Sequence, residues 1–212
     1  MLVEFKVKNF RSFEDEVTFS MVGTKDQSFA DNFFMIPPMK KDPLLKVAGI
    51  FGANASGKTN VLLAINRLSK LVKYSHRYQV NEDLPFEPFK LNKECLSKPT
   101  RFAVTFIVND IIYNYNLAHN RNRILEENLY YYPHGHKAII FERNVKSSKE
   151  FKFTIDVGNQ TAISKRTLPN TLYLSKAALD NYAPIGVVFE WFSNTLKPIG
   201  PTDQKLVTSS PP

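Results

Sequence analysis

The sequence predicts an α/β fold with an antiparallel β-subdomain, and three observations predict it. Residues 46–51 (Lys-Val-Ala-Gly-Ile-Phe) form a short apolar run leading into a glycine-containing loop, as a buried parallel strand does. Beyond the loop, Val61, Ile65, Leu68 and Val72 recur at helical spacing, with Asn66, Arg67 and Lys70 on the other side. From Arg101 to about Arg166 the pattern changes to short apolar runs separated by polar pairs, which marks a β-meander.

The elements follow in order. Residues 2–8 alternate Leu2, Glu4, Lys6 and Lys8 against Val3, Phe5 and Val7, a half-buried strand. Residues 9–13 read as a turn and 17–22 as a second strand. The segment 23–43 lacks periodicity, contains Pro37-Pro38 and reads as a connecting loop. The helix after the loop should end between Tyr74 and Tyr78, and residues 82–99, with Pro85, Pro88 and Pro99, should be irregular. In the meander, 102–108 and 111–117 flank Asn109-Asp110 as a hairpin. Asn120-Arg121-Asn122 turns the chain into 124–132, and further strands are expected at 137–142, 151–157 and 161–165, with Gly158-Asn159 as a tight turn. Residues 172–175 look strand-like, whereas 177–181 and 185–196 look helical. Overall, residues 1–196 make one lobe (loop and helix 46–78, meander 101–166, C-terminal helices 175–196), and 197–212 make a flexible tail.

Composition restricts the class. The 212 residues are 43% hydrophobic and 23% charged, with 17 Phe and 9 Tyr, so a sizeable core can form and disorder is excluded. Cys95 is the only cysteine, which rules out an internal disulfide framework and a zinc cage built of cysteines alone. The opening MLVEFKVKNFRSF has no continuous apolar region of the signal-peptide kind, and no stretch reaches membrane-spanning length, so a cytoplasmic location is expected. A net charge of +8 permits contact with a polyanion, although scattered Lys and Arg also simply solubilise a surface.

The chemistry concentrates in Gly52-Ala53-Asn54-Ala55-Ser56-Gly57-Lys58-Thr59, which satisfies G-x-x-x-x-G-K-[ST]. Glycines let the backbone curl so that successive N–H groups face phosphate oxygens. The helix N-terminus beyond favours an anion. Lys58 supplies a charge for the β- and γ-phosphates, and the Thr59 hydroxyl is placed to ligate Mg²⁺. A strand–loop–helix carrying this motif is a P-loop NTPase element, and ATP with Mg²⁺ is the expected ligand.

The stretch 49–60 resembles the Walker A region of the RecF/SMC-like branch of ABC-type ATPases. Val7-Lys8-Asn9-Phe10-Arg11-Ser12-Phe13 resembles that branch's opening strand and turn. Residues 85–91 (Pro-Phe-Glu-Pro-Phe-Lys-Leu), 112–115 (Ile-Tyr-Asn-Tyr) and 141–143 (Phe-Glu-Arg) are similar to a subgroup of AAA family ATPases that includes phage-defence and RloA-type proteins. The resemblance implies an ABC-type head, N-terminal lobe. It also implies that Arg11 and Ser12, together with Asn60 after the loop, lie near the nucleotide, and that heads pair as homodimers or hetero-assemblies, with nucleic acid or an effector protein as further partners. Phage defence or DNA maintenance is the implied process.

ABC-type ATPases also need four apolar residues followed by Asp-Glu and a Gly-Gly signature. No two glycines are adjacent, and the nearest acidic strand ends, 106–110 and 153–156, lack Asp-Glu and fall in apparent hairpins. Nucleotide binding without self-sufficient hydrolysis is therefore expected. The alternative is a non-catalytic, nucleotide-stabilised module that contacts nucleic acid or a partner through Arg121, Arg123, Lys137, Arg143, Lys146 and Lys149, a set interleaved with aromatics. His134 and His136 lack a third ligand at metal-binding spacing.

Overall fold

A computed structural model describes residues 1–24, 29–39 and 42–199. Its centre is a seven-stranded sheet in the order β2-β1-β5-β6-β7-β8-β9, with every neighbouring pair antiparallel. The strands are β1 (Leu2–Lys8), β2 (Val17–Ser20), β5 (Thr100–Val108), β6 (Ile111–His119), β7 (Ile124–Tyr132), β8 (Ala138–Asn144) and β9 (Phe151–Phe153). A two-residue ribbon, β3 (Phe33–Phe34) with β4 (Leu44–Leu45), lies in the connecting segment. The helices are α1 (Lys58–Tyr74), α2 (Val157–Ser164), α3 (Tyr173–Leu179) and α4 (Ala183–Glu190), the last continuing as a π-turn over Trp191–Thr195.

Strand alternation builds the core directly. Across the sheet, Phe5 pairs with Val104, Val104 with Tyr115, Tyr115 with Leu129 and Leu129 with Phe141, giving one buried row. The opposite face is polar over its middle, where Asn114 donates to Thr105 Oγ1 (2.9 Å), Asn116 donates to Asn114 Oδ1 (2.6 Å) and Arg101 grips Glu126. At one end of that face Ile107 joins Val3 and Leu44 in a second, smaller apolar cluster. Such two-faced patterning is available only to an antiparallel sheet, where one side can face solvent. The Asn109-Asp110 connection has φ of 49° and 57°, the double left-handed geometry of a two-residue hairpin loop.

Helix α1 buries Val61, Ala64, Ile65, Leu68, Leu71 and Val72, the apolar stripe expected from spacing. Trp191 stacks on Phe106 with ring centroids 4.0 Å apart, and Phe192 closes the same cluster edge-on. Ser69 Oγ donates to the Phe192 carbonyl at 3.3 Å, tying α1 to the π-turn.

An acid and an arginine, Glu127 and Arg143, are among the polar side chains buried in this layer. Glu127 on β7 accepts hydrogen bonds from Tyr115 Oη (3.0 Å) and from the backbone N–H groups of Tyr173 (2.6 Å) and Leu174 (2.9 Å). A sheet carboxylate thus serves the start of α3, where helix N–H groups lack partners of their own. Its cross-strand neighbour is Arg143, which spends its guanidinium on Glu150 (2.7 Å) and on the Thr171 carbonyl (2.8 Å). Burial raises the Glu127 pKa, and nearby Arg143 and the three donors partly offset the rise.

Five expectations are corrected. Residues 46–51 form no strand: Val47 is 81% and Phe51 94% exposed, and no described strand pairs with this run. Residues 161–165 are not a strand and Gly158-Asn159 is not a turn, since both belong to α2. There the buried Gln160 anchors the helix by donating to the Ile140 and Ile155 carbonyls. The expected strand 151–157 is only Phe151–Phe153. Residues 172–175 start α3, a short apolar run whose conformation is decided by Glu127 and not by its own periodicity. Of the tail, residues 200–212 lie outside the described residues, as do 25–28 and 40–41 of the connecting loop.

Glu127→Ala should leave Tyr115 Oη and two N–H groups buried without an acceptor. The expected loss is about 3 kcal/mol of unfolding free energy, measured by urea titration.

A second test uses pH. His119 is fully buried between Phe102 and Phe86, and burial holds its pKa down at about 4. The folded state keeps it neutral while the unfolded chain protonates near the ordinary value. Its contribution is therefore complete above about pH 6.5 and is lost as pH falls towards 4. Wild-type stability should drop by about 2 kcal/mol more between pH 7 and 5 than that of His119→Gln.

Candidate functional site

The motif loop lies between the unpaired segment 46–51 and α1. Gly57 stands at the helix N-cap with φ of 94°, and no side chain caps the first turn. Asn60 N is bonded to the Gly57 carbonyl (2.8 Å), and the N–H groups ahead of it, at the start of α1, are of the kind that attracts an anion. Gly52, Ala53, Asn54, Ala55, Ser56 and Thr59 are all exposed, with Ala55 also left-handed (φ 63°). The Lys58 ammonium folds back over the loop and donates to the Gly52 (2.7 Å) and Ala53 (2.6 Å) carbonyls.

The turn at residues 9–13 sits against this loop. A Cβ on Gly57 would come within 2.8 Å of Ser12 Oγ and 3.0 Å of the Phe13 ring, so only glycine lets the loop approach this closely. Asn60 Nδ2 donates to Ser12 Oγ at 2.7 Å. Arg11, Ser12, Gly57, Lys58 and Asn60 are thereby gathered at one rim.

Asn9, Glu87 and Arg67, which the sequence motifs and the helical pattern contain without assigning them a role, hold that rim in place. Asn9, left-handed and buried, donates through Nδ2 to the Cys95 (2.9 Å) and Lys98 (2.8 Å) carbonyls and accepts from Phe89 N (3.0 Å). Glu87 accepts from Arg11 Nε through one oxygen and from Arg67 on α1 through the other. Arg11 N also donates to the Glu87 carbonyl at 2.8 Å. Glu87 stands in the 85–91 motif, but nothing in the sequence shows that it, and not the nearby Glu14, Asp15 or Glu16, pairs with Arg11.

Beside the rim opens a cleft of about 550 Å³ lined by Arg11, Ser12 and Asn60 on one side and residues 87–91 on the other. A larger groove of about 890 Å³ runs between β7–β9 and α2 and contains none of the loop residues. The basic meander is less cationic than its sequence suggests: Arg143 is buried and satisfied, and Arg121 lies 3.6 Å from Asp83. Among the described residues no group of three His, Cys, Asp or Glu is placed to hold a metal, and His134 and His136 are both exposed. The exposed Thr59 hydroxyl fits a Mg²⁺ that arrives with its own phosphate oxygens. No described helix is long and apolar enough to cross a membrane.

These features define an α/β domain of P-loop NTPase type with a large antiparallel sheet. Residues 47–185, well over half of the chain, match the family described as "AAA domain, putative AbiEii toxin, Type IV TA system", and the chain belongs to that family. An AAA-type domain is a nucleotide-binding module. No curated protein matches the chain.

Gly57→Ala should force the loop and the 9–13 turn apart and strain a left-handed position. A loss of about 1–2 kcal/mol in thermal unfolding is expected, with disrupted amide signals at Ser12 and Asn60 in two-dimensional NMR.

Proposed function

We propose that residues 52–59 bind the triphosphate of ATP with Mg²⁺, and that the chain works as the nucleotide-binding lobe of a RecF/SMC-like, ABC-type ATPase. The observation that carries this reading is the packing of the 9–13 turn on Gly57, which sets Arg11, Ser12 and Asn60 beside the uncapped α1 N-terminus and Lys58. In the bound state, Lys58 exchanges two backbone carbonyls for phosphate oxygens, and Thr59 contributes a metal ligand. Arg11 stands ready at the rim, with its charge shared through Glu87.

Hydrolysis, on this reading, needs a water-activating carboxylate from outside the loop. Glu87, the acid lining the rim, is already engaged by two guanidiniums. The bare apolar run at Val47 and Phe51 enters the loop with no strand partner, a backbone that further protein can pair with. We therefore assign the lobe to a nucleotide-gated assembly, a homodimer or a hetero-assembly of heads, serving phage defence, DNA maintenance or the toxin–antitoxin role in the family description.

Lys58→Ala should weaken ATP–Mg²⁺ binding by about a hundredfold in calorimetry while leaving the melting temperature of the ligand-free protein within ~2 °C. Thr59→Ala should remove the dependence of affinity on Mg²⁺. Sedimentation with and without ATP–Mg²⁺ tests the gating: an unchanged mass in both states refutes it. Brisk turnover by the isolated chain refutes the outside carboxylate.

A further inference from the structure

The cleft beside the loop has two unlike walls. One is polar and cationic, made of Arg11, Ser12 and Asn60. The other, residues 87–91, sets Phe89 and Leu91 between the charged Glu87 and Lys90, with Pro88 buried behind them and Leu91 91% exposed although it lines a concavity. An exposed leucine beside a phosphate loop is a surface a flat ring system can cover.

The apolar wall is held rigidly. Phe89 N is fixed by Asn9, Glu87 is bound through its backbone by Arg11 and through its side chain by Arg11 and Arg67, and Pro85 and Pro88 restrict the backbone. A preformed wall binds without an ordering cost. Its volume of about 550 Å³ suits a small-molecule site of mixed apolar and polar lining. None of residues 52–59 lines the cleft, which meets the loop through Ser12, packed on Gly57, and through Asn60, the residue after the loop.

From this juxtaposition we infer that residues 87–91 form the nucleoside-recognition wall of the site. The base lies against Phe89 and Leu91, and Glu87 is the positioning residue that fixes the wall to Arg11 and α1. The inference rests on the reading of residues 52–59 as a triphosphate loop. It adds that affinity comes from the nucleoside as well as from the phosphates.

Calorimetric titration of ATP and of inorganic tripolyphosphate, each with Mg²⁺, separates the two claims. Wild-type protein should bind ATP at least about tenfold more tightly than tripolyphosphate. Leu91→Ser should weaken ATP about fivefold or more and leave tripolyphosphate unchanged, and Leu91→Met should retain the wild-type ATP affinity. Equal wild-type affinities for the two ligands, or an ATP affinity unmoved by Leu91→Ser, overturns the wall while the loop reading stands. Failure of wild type to bind either ligand overturns the loop reading and the wall with it.

Discussion

The carboxylate of Glu127 reaches up from the middle of the sheet and is grasped by the first two backbone N–H groups of α3 and by Tyr115. The helical layer has to be held at a fixed height and register above seven strands, and apolar contacts alone are non-directional. A fully buried acid with three donors supplies the direction. Arg143, directly across the strand pair, uses the same device for the chain ahead of α3 by gripping the Thr171 carbonyl. α3 then packs on α1 and α4, so the register of α1 follows from β7. The candidate site begins at the first residue of α1.

A second anchor acts from the other end of the sheet. β1 delivers Asn9 into a left-handed position where its amide collects carbonyls from residues 95 and 98 and returns a bond to Phe89. Phe10 and Phe13 are buried on either side, leaving Arg11 and Ser12 outward. The five-residue turn thus divides its labour. Its amide and rings fix it to the body, its hydroxyl meets the loop at Gly57 and Asn60, and its guanidinium engages Glu87. Neither half works without the other, because an unanchored turn would not hold Ser12 within hydrogen-bonding reach of Asn60.

Much of this was legible in the sequence where periodicity was long and unambiguous. Residues 2–8, the 102–117 hairpin with its Asn-Asp loop, the 124–132 strand and α1 all follow their patterns, because one face of each is buried against a continuous core. The misses were short runs settled by distant partners. Gln160 and Glu127 make helices of segments whose β-branched or apolar residues favoured strands. Residues 46–51 have the composition of a buried strand, and composition does not say whether a neighbour is present. At the site, the loop and the 9–13 turn were readable as motifs, whereas Glu87 was not. Its importance lies in a contact 76 residues away in sequence.

The stacked Trp191 and Phe106 have an optical consequence. The chain's only tryptophan lies in the π-turn, buried against an aromatic ring and joined to α1 through the Ser69–Phe192 bond, at the opposite end of that helix from the loop. Its emission is shielded from solvent and from any ligand at Gly57, so direct quenching there is absent. A change in its spectrum on adding nucleotide would therefore be a mechanical signal, reporting that α1 shifts as a rod over the sheet.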